Sequence, residues 1–146
     1  MKKKNFTTLF FLSILLISCS NDGDNKIIRE KPNLIKKWNL EKWTLNNDNQ
    51  VLTTCNKQNY IEFKTDGHFE RKSFYQNASI CELEVNDSGT YIYDLTAQKI
   101  TLNFTDPDEG AQTEILNKVI VTSTTFKYSW DEDGNGIDEH TLEFKE

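Results

Sequence analysis

The chain has 146 residues, 36% of them hydrophobic and 27% charged, with 17 basic against 23 acidic side chains and a net charge of −6. That length allows one domain with a real core. The acidic balance argues against nucleic acid, whose phosphates select basic patches, and against charge-driven adhesion to anionic lipid.

Lys2, Lys3 and Lys4 head an apolar run from Leu9 to Ile17 that only Ser13 interrupts. A charged start, a short apolar stretch and a small residue before the cut describe a secretory signal peptide over residues 1–18. The run is short for a membrane span, which needs about 20 apolar residues. Leu16-Ile17-Ser18-Cys19 resembles a bacterial lipobox. The resemblance implies cleavage before Cys19 and acylation of its thiol and amine, palmitate included. It also implies an outer-membrane lipoprotein of the bacterial cell envelope, facing the periplasm or the cell surface. Cleavage removes three lysines and no acids, so 14 basic side chains face 23 acidic ones and the net charge becomes −9. The membrane link is then covalent, with each buried acyl CH₂ contributing about 0.8 kcal/mol. The three cysteines leave an odd one out. With Cys19 acylated, Cys55 and Cys81 remain, and an oxidising compartment lets them pair as a disulfide. Two separate buried thiols are the alternative.

Residues 19–33 read as the lipidated cysteine and a polar, aperiodic tether, and residues 34–146 as the domain. Trp38-Asn39-Leu40 and Trp43-Thr44-Leu45 alternate with opposite parity, which predicts a bulge between them. Ile61 and Phe63 share a strand face, the Asp66-Gly67 pair marks a tight turn, and Phe69 restarts an antiparallel partner. Ile80 to Val85 alternates, and Asn86-Asp87-Ser88-Gly89 reads as the next turn. Tyr91, Tyr93 and Leu95 share a face, as do Ile100, Leu102 and Phe104. Breaker residues fill Thr105–Gly110. Two β-rich runs follow, Thr113–Val121 and Thr124–Trp130, the second with Phe126, Tyr128 and Trp130 on one face. After an acidic loop, His140, Leu142 and Phe144 recur at period two. About eight or nine short alternating strands with short connections predict an all-β, up-and-down antiparallel barrel or a sandwich.

The ordered set of motifs narrows this further. Leu34-Ile35-x-x-Trp38-x-Leu40 is followed by Cys55, then by Tyr60-Ile61-Glu62-Phe63-Lys64-Thr65-Asp66-Gly67-His68-Phe69. Cys81, Gly89-Thr90-Tyr91-Ile92-Tyr93 and Ile100-Thr101-Leu102-Asn103-Phe104 complete the series. This order resembles the small lipocalin-like domains of bacterial lipoproteins. Two details depart from that pattern: Lys36-Lys37 stands where a Gly-x pair usually precedes the first tryptophan, and Tyr91 replaces a tryptophan. The resemblance implies an up-and-down barrel of about eight strands and non-catalytic binding of a small apolar or amphipathic ligand.

Chemistry is sparse. The two histidines, His68 and His140, lie far apart in sequence, and no nucleophile elbow or metal-protease motif is present. No enzyme and no cofactor are expected. Asp131-Glu132-Asp133-Gly134-Asn135-Gly136-Ile137-Asp138-Glu139 begins like a calcium loop, but its twelfth position is Leu142 rather than a bidentate glutamate. A weak Ca²⁺ contact and a plain tight turn are the two readings. Trp38, Phe63, Tyr91, Tyr93, Phe104, Tyr128 and His140 are the candidates to face a ligand in the lumen. The same rings are numerous enough to fill a small barrel completely. A filled barrel would suit an interaction module that meets protein or glycan through its loops. A monomer is expected.

Overall fold

The computed structural model describes residues 33–146. The expected signal peptide, Cys19 and the tether up to residue 32 lie outside the described residues. Nine strands follow one another: β1 (Lys37–Leu45), β2 (Asp48–Asn49), β3 (Tyr60–Phe63), β4 (His68–Asn77), β5 (Ile80–Asp94), β6 (Lys99–Asp106), β7 (Gly110–Val121), β8 (Thr125–Trp130) and β9 (His140–Lys145). The only helical element among the described residues is a 3₁₀ turn, Asn56–Gln58. Each strand pairs antiparallel with its neighbours, and β9 returns to pair with β1. Eight strands therefore close a barrel, while β2 folds back on the end of β1. This is the up-and-down barrel that the alternating pattern predicts and the family resemblance implies.

Local chemistry sets the corners. Gly67 and Gly110 turn β3 into β4 and β6 into β7 with φ of 82° and 85°, values that a side chain resists. The expected bulge lies at Glu41: Leu40 opposes Phe144 while Lys42 opposes Glu143, so Glu41 has no partner on β9. The extra residue resets the parity. Trp38, Leu40 and Trp43 can then all face inward, although an unbroken strand would turn Trp43 outward.

The turn expected at Asn86–Gly89 does not form. β5 runs unbroken through it for 15 residues. Asp87 points inward to an arginine, and Gly89 lies opposite Phe69 on one side and Phe104 on the other. A Cβ at Gly89 would stand 2.0 Å from the Asn103 carbonyl oxygen. The residues that read as a turn thus serve a buried ion pair and a close backbone approach. Because the clashing atom is backbone, Gly89→Ala is expected to cost about 2 kcal/mol through forced displacement of β6. A urea titration of the variant checks this, and an unchanged midpoint contradicts it.

Antiparallel order sorts the connections into two ends. One end gathers the start of β1 and the turns 64–67, 95–98 and 122–124. Its interior is solid: Trp38, Ile61, Phe63, Phe69, Ile100 and Phe126 are all at most 1% exposed. Leu34 joins this core, and its carbonyl accepts a 2.9 Å hydrogen bond from Trp38 Nε1. The other end gathers the β1–β2 turn, the segment 50–59, the β4–β5 turn and the loop 131–139.

Cys55 and Cys81 form a disulfide, with Cα atoms 5.2 Å apart. It ties the segment before the 3₁₀ turn to the start of β5. Two asparagines of the same segment bind one residue of β4: Asn59 Oδ1 accepts the Phe74 N–H at 2.7 Å, and Asn56 Nδ2 donates to the Phe74 carbonyl at 3.1 Å. Phe74 adjoins the β4–β5 register shift, where a bulge leaves backbone groups needing partners. The segment 50–59 is therefore held by the disulfide and by polar contacts to β4, with further backbone bonds from Leu40 N–H to the Asn59 carbonyl and from Gln50 N–H to the Trp43 carbonyl on β1. Replacing both cysteines by serine is expected to lower stability by roughly 3 kcal/mol, from loop-closure entropy. Thermal melts with and without reductant check this: reductant should shift the native protein and leave the variant unmoved.

Candidate functional site

Above the solid half of the core, the second end of the barrel is open. A cavity of about 720 Å³ occupies it. Its walls come from β1, β4, β5, β7, β8 and β9, with Asn56 and Asn59 of the segment 50–59 at the rim. Tyr128, Leu40 and Leu142 give it an apolar base, and Trp43 and Trp130 give it flat sides.

Arg71 stands at the floor. The alternation Phe69-x-Arg71-x-Ser73 on β4 puts its side chain on the inward face beside Asp87, its cross-strand partner on β5. Arg71 Nη2 and Nε donate to Asp87 Oδ2 at 2.5 and 3.2 Å, and Nη1 donates to Glu114 Oε2 at 2.7 Å. The Arg71 and Asp87 side chains are only 18% and 10% exposed, and that of Glu114 is 32% exposed. Burial opposes the guanidinium charge, but the Glu114 and Asp87 carboxylates outweigh it and hold the Arg71 pKa above its ordinary value. Tyr128 is buried beside this group. Burial raises its phenol pKa, and the neighbouring Arg71 charge only partly offsets the rise.

At the mouth, three rings stack. Trp130 lies 4.2 Å from His140 at 7°, and Trp43 lies 5.9 Å from it on a nearly parallel plane. Trp43 Nε1 donates to His140 Nδ1 at 3.1 Å, so the neutral ring carries its proton on Nε2, which meets Glu132 Oε2 at 2.7 Å. Beside the stack, the loop 131–139 coils around Asp131. Its Oδ1 accepts the N–H of Gly134 at 2.7 Å and of Asn135 at 3.2 Å, and its Oδ2 accepts that of Gly136 at 2.6 Å. The Gly136 bond leads in holding the Asp131 pKa below its ordinary value. This contribution to loop stability is present above the ordinary aspartate pKa and is lost as pH falls through the lowered one. Oxygens of Asp131, Asp133 and Glu139 lie within 4.8 Å of one another. Glu139, the ninth residue of the loop, supplies the third carboxylate that the twelfth position lacks.

The seven lumen candidates separate. Tyr128 lines the cavity. Trp38 and Phe63 belong to the solid half, with Tyr91, Tyr93 and Phe104 packed against it. Tyr91 spends its hydroxyl on the Lys64 carbonyl at 3.2 Å. Phe104 borders a second, shallower concavity of about 580 Å³ on the far side of Arg71. His140 faces inward by register but sits behind the tryptophans rather than in the cavity wall. His68 is exposed beside Asp66, as its turn position predicts. Trp43, Arg71, Asp87 and Glu114 carry the site without having been legible as candidates. The parity of Phe69-x-Arg71 was the available signal for one of them.

A barrel solid at one end, open at the other and closed by eight meandering strands invites comparison with known families. No protein with a curated description and no solved structure matches the chain. The family model described as a lipocalin-like domain matches residues 34–128. That match takes in the first six barrel strands and most of the seventh, both bridged cysteines and most of the cavity wall, and so the chain belongs to the lipocalin-like domain family.

Proposed function

We propose that this protein is a lipid-anchored envelope protein that binds a small apolar or amphipathic molecule, without catalysis, in the open half of its barrel. The carrying observation is the cavity of about 720 Å³, within the range of roughly 300–1,000 Å³ in which ligand pockets fall. The aromatic walls and the few polar groups at its floor fit that use. The lipocalin-like fold supports ligand binding as its general role. The anchor rests on the lipobox pattern at Cys19, which also carries the assignment to the bacterial outer membrane. The competing reading, a loop-borne interaction module, needs a packed lumen, and the open half argues against it.

Native mass spectrometry of the protein purified from its own envelope tests both parts. A co-purifying small molecule and an acylated N-terminal cysteine are expected. Clean apo protein removes the binding role, and an unmodified Cys19 removes the anchor. The calcium-like pattern of loop 131–139 extends the proposal to a weak Ca²⁺ contact. Calorimetric titration should then give measurable heat at millimolar Ca²⁺, and its absence withdraws that contact.

A further inference from the structure

The charge inside the cavity has a sign. Among its lining side chains, Arg71 is the one cation, against Glu84, Glu114 and Asp131. Arg71 is already committed, because Asp87 and Glu114 take three of its N–H donors. It binds only one oxygen of each, Asp87 Oδ2 and Glu114 Oε2, so Glu114, which lines the cavity, keeps a second oxygen to accept from a visitor. Tyr128 is 3% exposed, lines the cavity and lies beside the Arg71 guanidinium.

An anionic ligand would enter a lumen with surplus negative charge, and its natural partner, Arg71, keeps two N–H donors but has its single charge already outnumbered by two carboxylates. A cation meets the opposite situation. Glu84 stands exposed at the rim, and the loop 131–139 brings Asp131, Glu132, Asp133, Asp138 and Glu139 to the mouth, with Lys118 offsetting Asp138 at 2.8 Å. A low-dielectric cleft under such a rim concentrates cations. The faces of Trp43, Trp130 and Tyr128 then attract the positive charge and cover an apolar body.

We infer that the open half of the barrel takes a small organic cation, a protonated amine or quaternary ammonium carried on a planar apolar body. This rests on the proposal that the open half is a binding site. Three probes on one indole scaffold test it on the mature protein by ligand-observed NMR and calorimetry: tryptamine, 3-ethylindole and indole-3-propionate, which are cationic, neutral and anionic. Tryptamine is expected to bind at least about tenfold more tightly than indole-3-propionate, the effect of one favourable charge contact against one unfavourable one. That preference should shrink with added salt. Glu84→Lys, at an exposed position that leaves the core untouched, should reduce or reverse it. If indole-3-propionate or 3-ethylindole binds as well as tryptamine, the cation inference fails and the binding site stands. If none of the three binds, the binding site fails and the inference falls with it.

Discussion

Phe126→Ala is expected to destabilise the protein by about 4 kcal/mol, the middle of the range for emptying a buried aromatic site. Phe126 is fully buried. Its ring centroid lies 5.4 Å from those of Phe63 and Tyr128, 5.6 Å from Phe144 and 5.9 Å from Trp38. Those four rings come from β3, β8, β9 and β1, so one side chain joins elements on both sides of the barrel seam. Alanine would remove the transfer energy together with the edge-to-face contact to Phe63 and the tilted contacts to the other three rings. The closed sheet prevents the walls from collapsing into the gap. Single domains hold only about 5–15 kcal/mol in total, so the variant should be close to unfolded at physiological temperature. Equilibrium urea unfolding measures this. A loss below about 1 kcal/mol would mean that the solid half can repack.

Arg71→Met should cost a comparable amount, about 3–4 kcal/mol, for an electrostatic reason. Methionine nearly replaces the volume but leaves the Asp87 and Glu114 carboxylates facing each other without a counter-charge. The penalty comes from stranded charge more than from a lost attraction. Adding Asp87→Asn and Glu114→Gln to the same protein should therefore restore much of the stability, although it removes still more of the native interaction. Chemical denaturation of the single and triple variants distinguishes the two causes. If the triple variant is as unstable as the single one, packing around Arg71 governs and the charge account is wrong.

The barrel was readable because its signal is local. Trp38 and Leu40 against Trp43 announced a bulge by parity alone, and the Phe126, Tyr128 and Trp130 alternation marked an inward face. The bridge between Cys55 and Cys81 followed from counting cysteines once Cys19 was assigned to lipid. The cavity was not readable in the same way. Arg71 looks like any polar residue on a strand until Asp87 and Glu114 arrive from two other strands. Asp87 was concealed further, since Asn86-Asp87-Ser88-Gly89 has the composition of a turn and becomes a strand only because its side chains find partners across the barrel. Periodicity reports which face a residue occupies. It does not report that one half of the interior will be filled by rings while the other half stays empty.

The bond from Trp38 to the Leu34 carbonyl has a directional consequence. It pins the chain where it enters the barrel, at the solid end, and the mouth lies at the far end of the strands. A lipid on Cys19 would therefore hold the barrel with its closed base toward the bilayer and its opening toward the aqueous side. In that posture the proposed anchor would make the protein a cup standing on the membrane, filled by solutes that diffuse to it rather than by molecules leaving the lipid beneath.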